Sequence, residues 1–106
     1  MPTDLIAILC TCPDTACGAS IAKALIDERL AACANLLPGV RSFYRWDGAV
    51  QDDSETLLVI KTTAARFNAV EALVRKNHPY DLPELVALPI VAGSTAYLDW
   101  VRGEVS

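Results

Sequence analysis

Four thiols and one imidazole are the side chains of this chain best suited to coordination or nucleophilic chemistry. The thiols fall as Cys10-x-Cys12-x4-Cys17, with Cys33 well apart, and the imidazole is His78. Thiolates and imidazoles are the ligands that copper and zinc favour. No Cys-x-x-Cys pair is present, so neither a zinc ribbon nor a thioredoxin-like motif is signalled. Each residue also has a plainer reading. Cys10 fits a small buried core residue. Cys33, flanked by alanines, reads as buried. Cys17 stands near a helix start, where the dipole would activate it, or else is an incidental surface thiol. His78 precedes a proline and can simply order a helix end. A second constellation mixes aromatics, a cation and a carboxylate: Tyr44, Trp46, Glu55, Lys61, Tyr97 and Trp100. Asp52 and Asp53 join Glu55 in a short acidic run, read as a solvated hairpin tip with room for weak binding of a hard cation.

Composition narrows the class. The chain has 106 residues, 53% of them apolar and 21% charged, which suits one domain with a real core and excludes a disordered chain. A formal net charge of −4 with no basic stripe argues against nucleic acid. The opening MPTDLIAILC lacks a basic region, and its apolar run is too short for a signal peptide or membrane span, so a cytoplasmic protein with reduced thiols is expected. There is no phosphate-cradling glycine loop, nucleophile elbow or zinc-hydrolase motif, so no enzyme activity is expected.

The elements that must position these residues follow from periodicity. Asp4 to Cys12 is almost continuously apolar and is stopped by Pro13, as a strand buried on both faces would be. Pro13-Asp14 opens a helix over Thr15 to Leu30, with Ile21, Ala22, Leu25, Ile26 and Leu30 as its apolar stripe. Ala31 to Leu37 is a second strand, bent by Pro38-Gly39. Val40 to Thr62 reads as a long β-hairpin around Asp47-Gly48, with a tip longer than a two-residue turn. Thr62 or Thr63 caps a second helix reaching about Asn77, where Pro79 ends it. Residues 78–83 form a turn-rich loop, Glu84 to Val91 a strand whose Pro89 belongs at an edge or bulge, and Gly93-Ser94-Thr95 caps a last helix closed by Gly103. The order β-α-β-β-α-β plus a helix is the α+β, ferredoxin-like sandwich: an antiparallel sheet with two helices on one face.

Three of these strands are apolar on both faces. A sheet covered by helices on one side ordinarily turns polar residues to the other. Its open face here is therefore expected to be an interface, and the simplest partner is a second copy.

LCTCPD, IDERLAACANLLPGVRSFYRWDG, IKT, HPYDLPE and YLDW, in that order along the chain, together resemble the CutA family of divalent-cation (copper) tolerance proteins. The resemblance spans nearly the whole of residues 1–106. It implies a compact homotrimer of ferredoxin-like subunits joined through the long hairpin and built like the trimers of PII signalling proteins. It also implies a bound divalent metal, copper foremost, with ligands at the cysteine of the LCT motif, Cys10, and at a histidine pair ahead of PY. Here that pair is Asn77 and His78, so one imidazole is lost. A third ligand could come from Cys12, Glu84 or a neighbouring subunit. The alternative implied function is a PII-like sensor, in which Lys61 contacts a small anionic ligand in a cleft between subunits, lined by Tyr44, Trp46, Glu55, Tyr97 and Trp100, for a protein partner to read. No nucleic acid or membrane enters either account.

Overall fold

A computed structural model describes residues 3–106. Strand β1 (Leu5–Cys12) lies inside a four-stranded antiparallel sheet of order β2-β3-β1-β4, with β2 spanning Cys33–Trp46, β3 Ala49–Thr63 and β4 Val86–Pro89. Alternate residues of a strand point to opposite faces. Ile8, Cys10 and Cys12 of β1 and Leu58 and Ile60 of β3 turn to one face, where they are fully buried. Helix α1 (Thr15–Asp27) and helix α2 (Phe67–Asn77) cover it, contributing Ile21, Leu25, Val70 and Val74 to the same core. Leu5 points the other way and packs under Leu98 and Val101 of α3 (Thr95–Glu104). The expected ferredoxin-like α+β arrangement is thus present, with α3 covering one end of the opposite face.

Four local expectations are revised. The first concerns the strand Ala31–Leu37, which is not separate from the hairpin. It runs on through Pro38-Gly39 as one strand, with a register shift between Leu37 and Val40. Gly39 takes φ +77° there, and Pro38 is tolerated because β2 is an edge strand. The hairpin tip is a two-residue turn after all. Asp47 (φ 53°) and Gly48 (φ 78°) both adopt the left-handed conformation that a type I′ turn demands, and Trp46 pairs with Ala49. Residues 49–54, taken from the sequence as an extended tip, belong to β3. Helix α1 stops at Asp27 rather than Leu30 because Arg29 turns left-handed (φ 57°). The Arg29 and Leu30 amides then close back on the carbonyls of Ile26 and Leu25, the Schellman pattern without its usual glycine. Finally, neither Thr62 nor Thr63 caps α2 with its side chain. Thr62 Oγ1 donates to the Leu30 carbonyl at 2.6 Å, and residues Ala64–Arg66 form a 3-10 turn ahead of the helix.

The edges of the remaining elements shift only slightly. Pro89 does sit on an edge strand, which is shorter than 84–91. Ser94 caps α3 by accepting the Tyr97 amide, and the helix runs one residue past Gly103. No helix among the described residues is long and apolar enough to cross a membrane.

Between α3 and the hairpin, the second face of the sheet stays uncovered and apolar. Paired rows place Leu9, Leu57, Val59, Leu37, Val86 and Leu88 on that side. Leu37, Val86 and Leu88 remain 44%, 48% and 46% exposed. The expectation of an apolar open face holds, because these strands carry branched aliphatics at both parities.

Candidate functional site

Strand period brings the first site together. Cys10 and Cys12 are two residues apart on β1, so both thiols point to the helix-covered face, and both are fully buried. His78 ends α2, where Pro79 forces the backbone out of helical geometry (ψ 136°) and directs the chain across the end of β1. The two thiols and one imidazole nitrogen all lie within 4.8 Å of one another. Of the three sources the sequence left open for a third donor, Cys12 is the one that lies beside Cys10 and His78. Glu84 lies outside this cluster, on the wall of a separate cavity. Asn77 turns back on its own helix, its Nδ2 donating to the Leu73 carbonyl at 2.8 Å.

Hydrogen bonds fix the imidazole. Nδ1 accepts the Tyr80 amide at 3.1 Å, so the ring proton sits on Nε2, which donates to the Thr11 carbonyl at 2.8 Å. The ring also lies against Tyr80, with centroids 4.7 Å apart. The Cys12 thiol is held in its neutral form. The adjacent Cys10 thiol, then burial, drive the Cys12 thiol far above the ordinary thiol range. Cys17 is likewise raised, by burial first and by Cys12 next, so the helix start does not activate it. Cys33 is half-buried rather than core, on the opposite face, with Sγ 3.6 Å from Asn35 Oδ1.

Two thiols and an imidazole suit a soft or borderline metal such as copper. Donors around a tetrahedral ion stand roughly 3.8 Å apart, so the three would have to draw in by up to about 1 Å. A metal taking His78 would also displace one of its two hydrogen bonds.

The second constellation separates into two groups. Tyr44, Trp46 and Glu55 line a cavity of about 680 Å³ on the open face, which runs along the hairpin from Glu55 to Trp46 beside the turn and is bordered by the 79–84 loop. Lys61 does not reach it. Its Nζ donates to Asn35 Oδ1 at 3.0 Å and lies 5.8 Å from the centre of the Tyr97 ring. Trp100 stacks near Tyr97 and borders a separate shallow cleft with Ile26 and Arg29. Sequence reading missed Tyr80, whose hydroxyl donates to Glu55 Oε2 at 2.9 Å. Its presence in HPYDLPE was the only signal. The acidic run is not a tip. Asp52 forms a two-pronged ion pair with Arg41 (2.9 and 2.8 Å), which holds its carboxyl below the usual range. Asp53 accepts the Tyr44 hydroxyl, and this bond pushes that phenol up to about 12. Glu55 is buried.

The family model described as CutA1 divalent ion tolerance protein matches residues 6–104. This chain belongs to the CutA family. A divalent-cation tolerance protein CutA from Thermus thermophilus is 50% identical over 95 residues, covering 90% of this chain and 92% of that one. A chloroplastic CutA of Arabidopsis thaliana is 44% identical over 97 residues, covering 92% of this chain and 53% of its own length. Among solved structures, a divalent cation tolerance protein of Thermus thermophilus superposes with a TM-score of 0.94 at 47% identity, over 96% of this chain and 99% of that one. A periplasmic divalent cation tolerance protein CutA from Archaeoglobus fulgidus gives 0.93 at 33%, over 96% and 99%. The CutA subunit fold is therefore that of this chain, and the names of these relatives speak of tolerance to divalent cations.

Proposed function

We propose that this CutA protein serves divalent-cation tolerance by binding copper at Cys10, Cys12 and His78. The observation that carries the reading is the buried cluster itself, three soft donors within 4.8 Å of one another. Buried thiols form a low-polarity pocket that favours a soft ion over magnesium or calcium, which seek oxygen ligands. A reducing compartment such as the cytoplasm keeps the four cysteines free, as they are here. The test is isothermal titration of the reduced, metal-free protein with copper, beside Cys10→Ser, Cys12→Ser and His78→Ala. Micromolar or tighter binding, about 8 kcal/mol or more, lost in all three variants is the expected outcome. Binding that survives all three variants rejects the site.

The working unit of this proposal is a homotrimer. The uncovered rows of Leu9, Leu57, Val59, Leu37, Val86 and Leu88 support it, since an apolar surface of that extent favours burial against another copy. The alternative function, a PII-like sensor with a small ligand between subunits, draws on the cavity beside Glu55.

A further inference from the structure

His78 has no nitrogen to spare. Nδ1 accepts the Tyr80 amide at 3.1 Å, and Nε2 meets the Thr11 carbonyl at 2.8 Å. A backbone amide only donates and a carbonyl only accepts, so the free lone pair stands on Nδ1 and the proton on Nε2. A neutral imidazole that ligates a metal through one nitrogen carries its proton on the other. Ligation through Nδ1 takes the lone pair that the Tyr80 amide uses. Ligation through Nε2 sends the proton to Nδ1, where it faces the Tyr80 N–H donor against donor. In both cases the Tyr80 amide loses its acceptor.

That loss matters because the segment has so few ties. Residues 79–84 belong to no helix or strand. Among the described residues they make two hydrogen bonds, both through Tyr80: its amide to His78 and its hydroxyl to Glu55 Oε2 at 2.9 Å. Pro79 and Pro83 have no amide to offer. A segment held this sparsely is among the first to open locally. The same segment walls the cavity beside Glu55, through Tyr80, Asp81, Leu82 and Glu84. We propose that residues 79–84 are a metal-operated switch: coordination of His78 releases the Tyr80 amide, frees the segment from Glu55 and reshapes the wall of the cavity. The inference rests on the copper reading above and adds to it a route by which an occupied buried cluster is read on the open face.

The test is NMR of the reduced full chain, metal-free and loaded with Cu(I), a closed-shell ion that leaves the signals sharp. The imidazole nitrogen shifts report whether His78 is ligated. Hydrogen exchange at the Tyr80 amide should then speed by at least about tenfold. The Leu98 amide, bonded to the Ser94 carbonyl at the start of α3, is the control and should not change. Tyr80→Phe cuts the tie to Glu55 and leaves the amide in place. It should bind Cu(I) about three- to tenfold tighter, because a bond that coordination must break is already gone. A residue that merely props up the site would weaken binding or leave it alone. Ligated His78 with the Tyr80 amide still protected overturns the proposal alone, as does a Cu(I) affinity unchanged or weakened by Tyr80→Phe. Imidazole nitrogens untouched by Cu(I) overturn it together with the copper reading.

Discussion

Replacing His78 with alanine should destabilise the metal-free protein by about 2–4 kcal/mol, although the residue sits in a loop. The imidazole is 7% exposed and uses both nitrogens, on the Thr11 carbonyl at 2.8 Å and the Tyr80 amide at 3.1 Å. Each bond contributes roughly 1 kcal/mol net, and a buried group left without a partner costs about 1–3 kcal/mol. Packing of the ring on Tyr80, with centroids at 4.7 Å, adds about 0.5–1.5 kcal/mol. The loss concentrates at one place because His78 ties α2, the end of β1 and the 79–84 loop together. Guanidinium unfolding of reduced, metal-free protein at fixed concentration measures it, the midpoint falling at unchanged slope. Asn77→Ala is the control. It removes one bond to its own helix and should stay within about 0.5 kcal/mol of the parent. If His78→Ala matched that control, the ring would not organise the loop, and the cluster would lose its stated geometry.

Copper affinity should climb with pH, because Cys12, raised by its neighbour and by burial, must give up its proton to bind the metal. Each proton released on binding adds about tenfold in affinity per pH unit; titrations at pH 6 and pH 7 that agree would remove the thiols from the ligand set. Tyr44 should ionise near pH 12 in an alkaline absorbance titration, since only its protonated form can donate to Asp53. Asp53→Asn should return that phenol toward 10, and an unaltered curve would deny the bond. Leu88→Asp puts a charge in the apolar row beside Ala7 and should split the proposed trimer in sedimentation with the subunit fold retained; sedimentation unchanged from the parent would place the proposed interface elsewhere.

Element order and fold were legible because apolar periodicity is a local property. The double apolar parity of β1 gave the open face, and Pro79 gave the end of α2. What escaped depends on pairing across distance. Gln51 to Ser54 look like loop on their own. They are strand because Arg41 and Tyr44 reach diagonally across β2 and β3 to Asp52 and Asp53, and because Asp47-Gly48 needs only two residues to turn. The end of α1 was hidden for a different reason: Arg29 occupies a left-handed position usually marked by glycine or asparagine. In the site, the period of a strand already placed Cys12 beside Cys10. No local pattern could bring Tyr80 to Glu55 or carry Lys61 away from Trp46, since those separations follow from how β3, α3 and the 79–84 loop pack.

X-ray absorption at the copper edge tests the central claim most directly. Reduced protein loaded with one equivalent of copper should show sulfur scatterers in the first shell, from Cys10 and Cys12, together with an imidazole from His78. The double substitution Cys10→Ser, Cys12→Ser should abolish the sulfur signal. A shell of nitrogen and oxygen alone in the parent protein would contradict the account and move the metal away from the buried cluster.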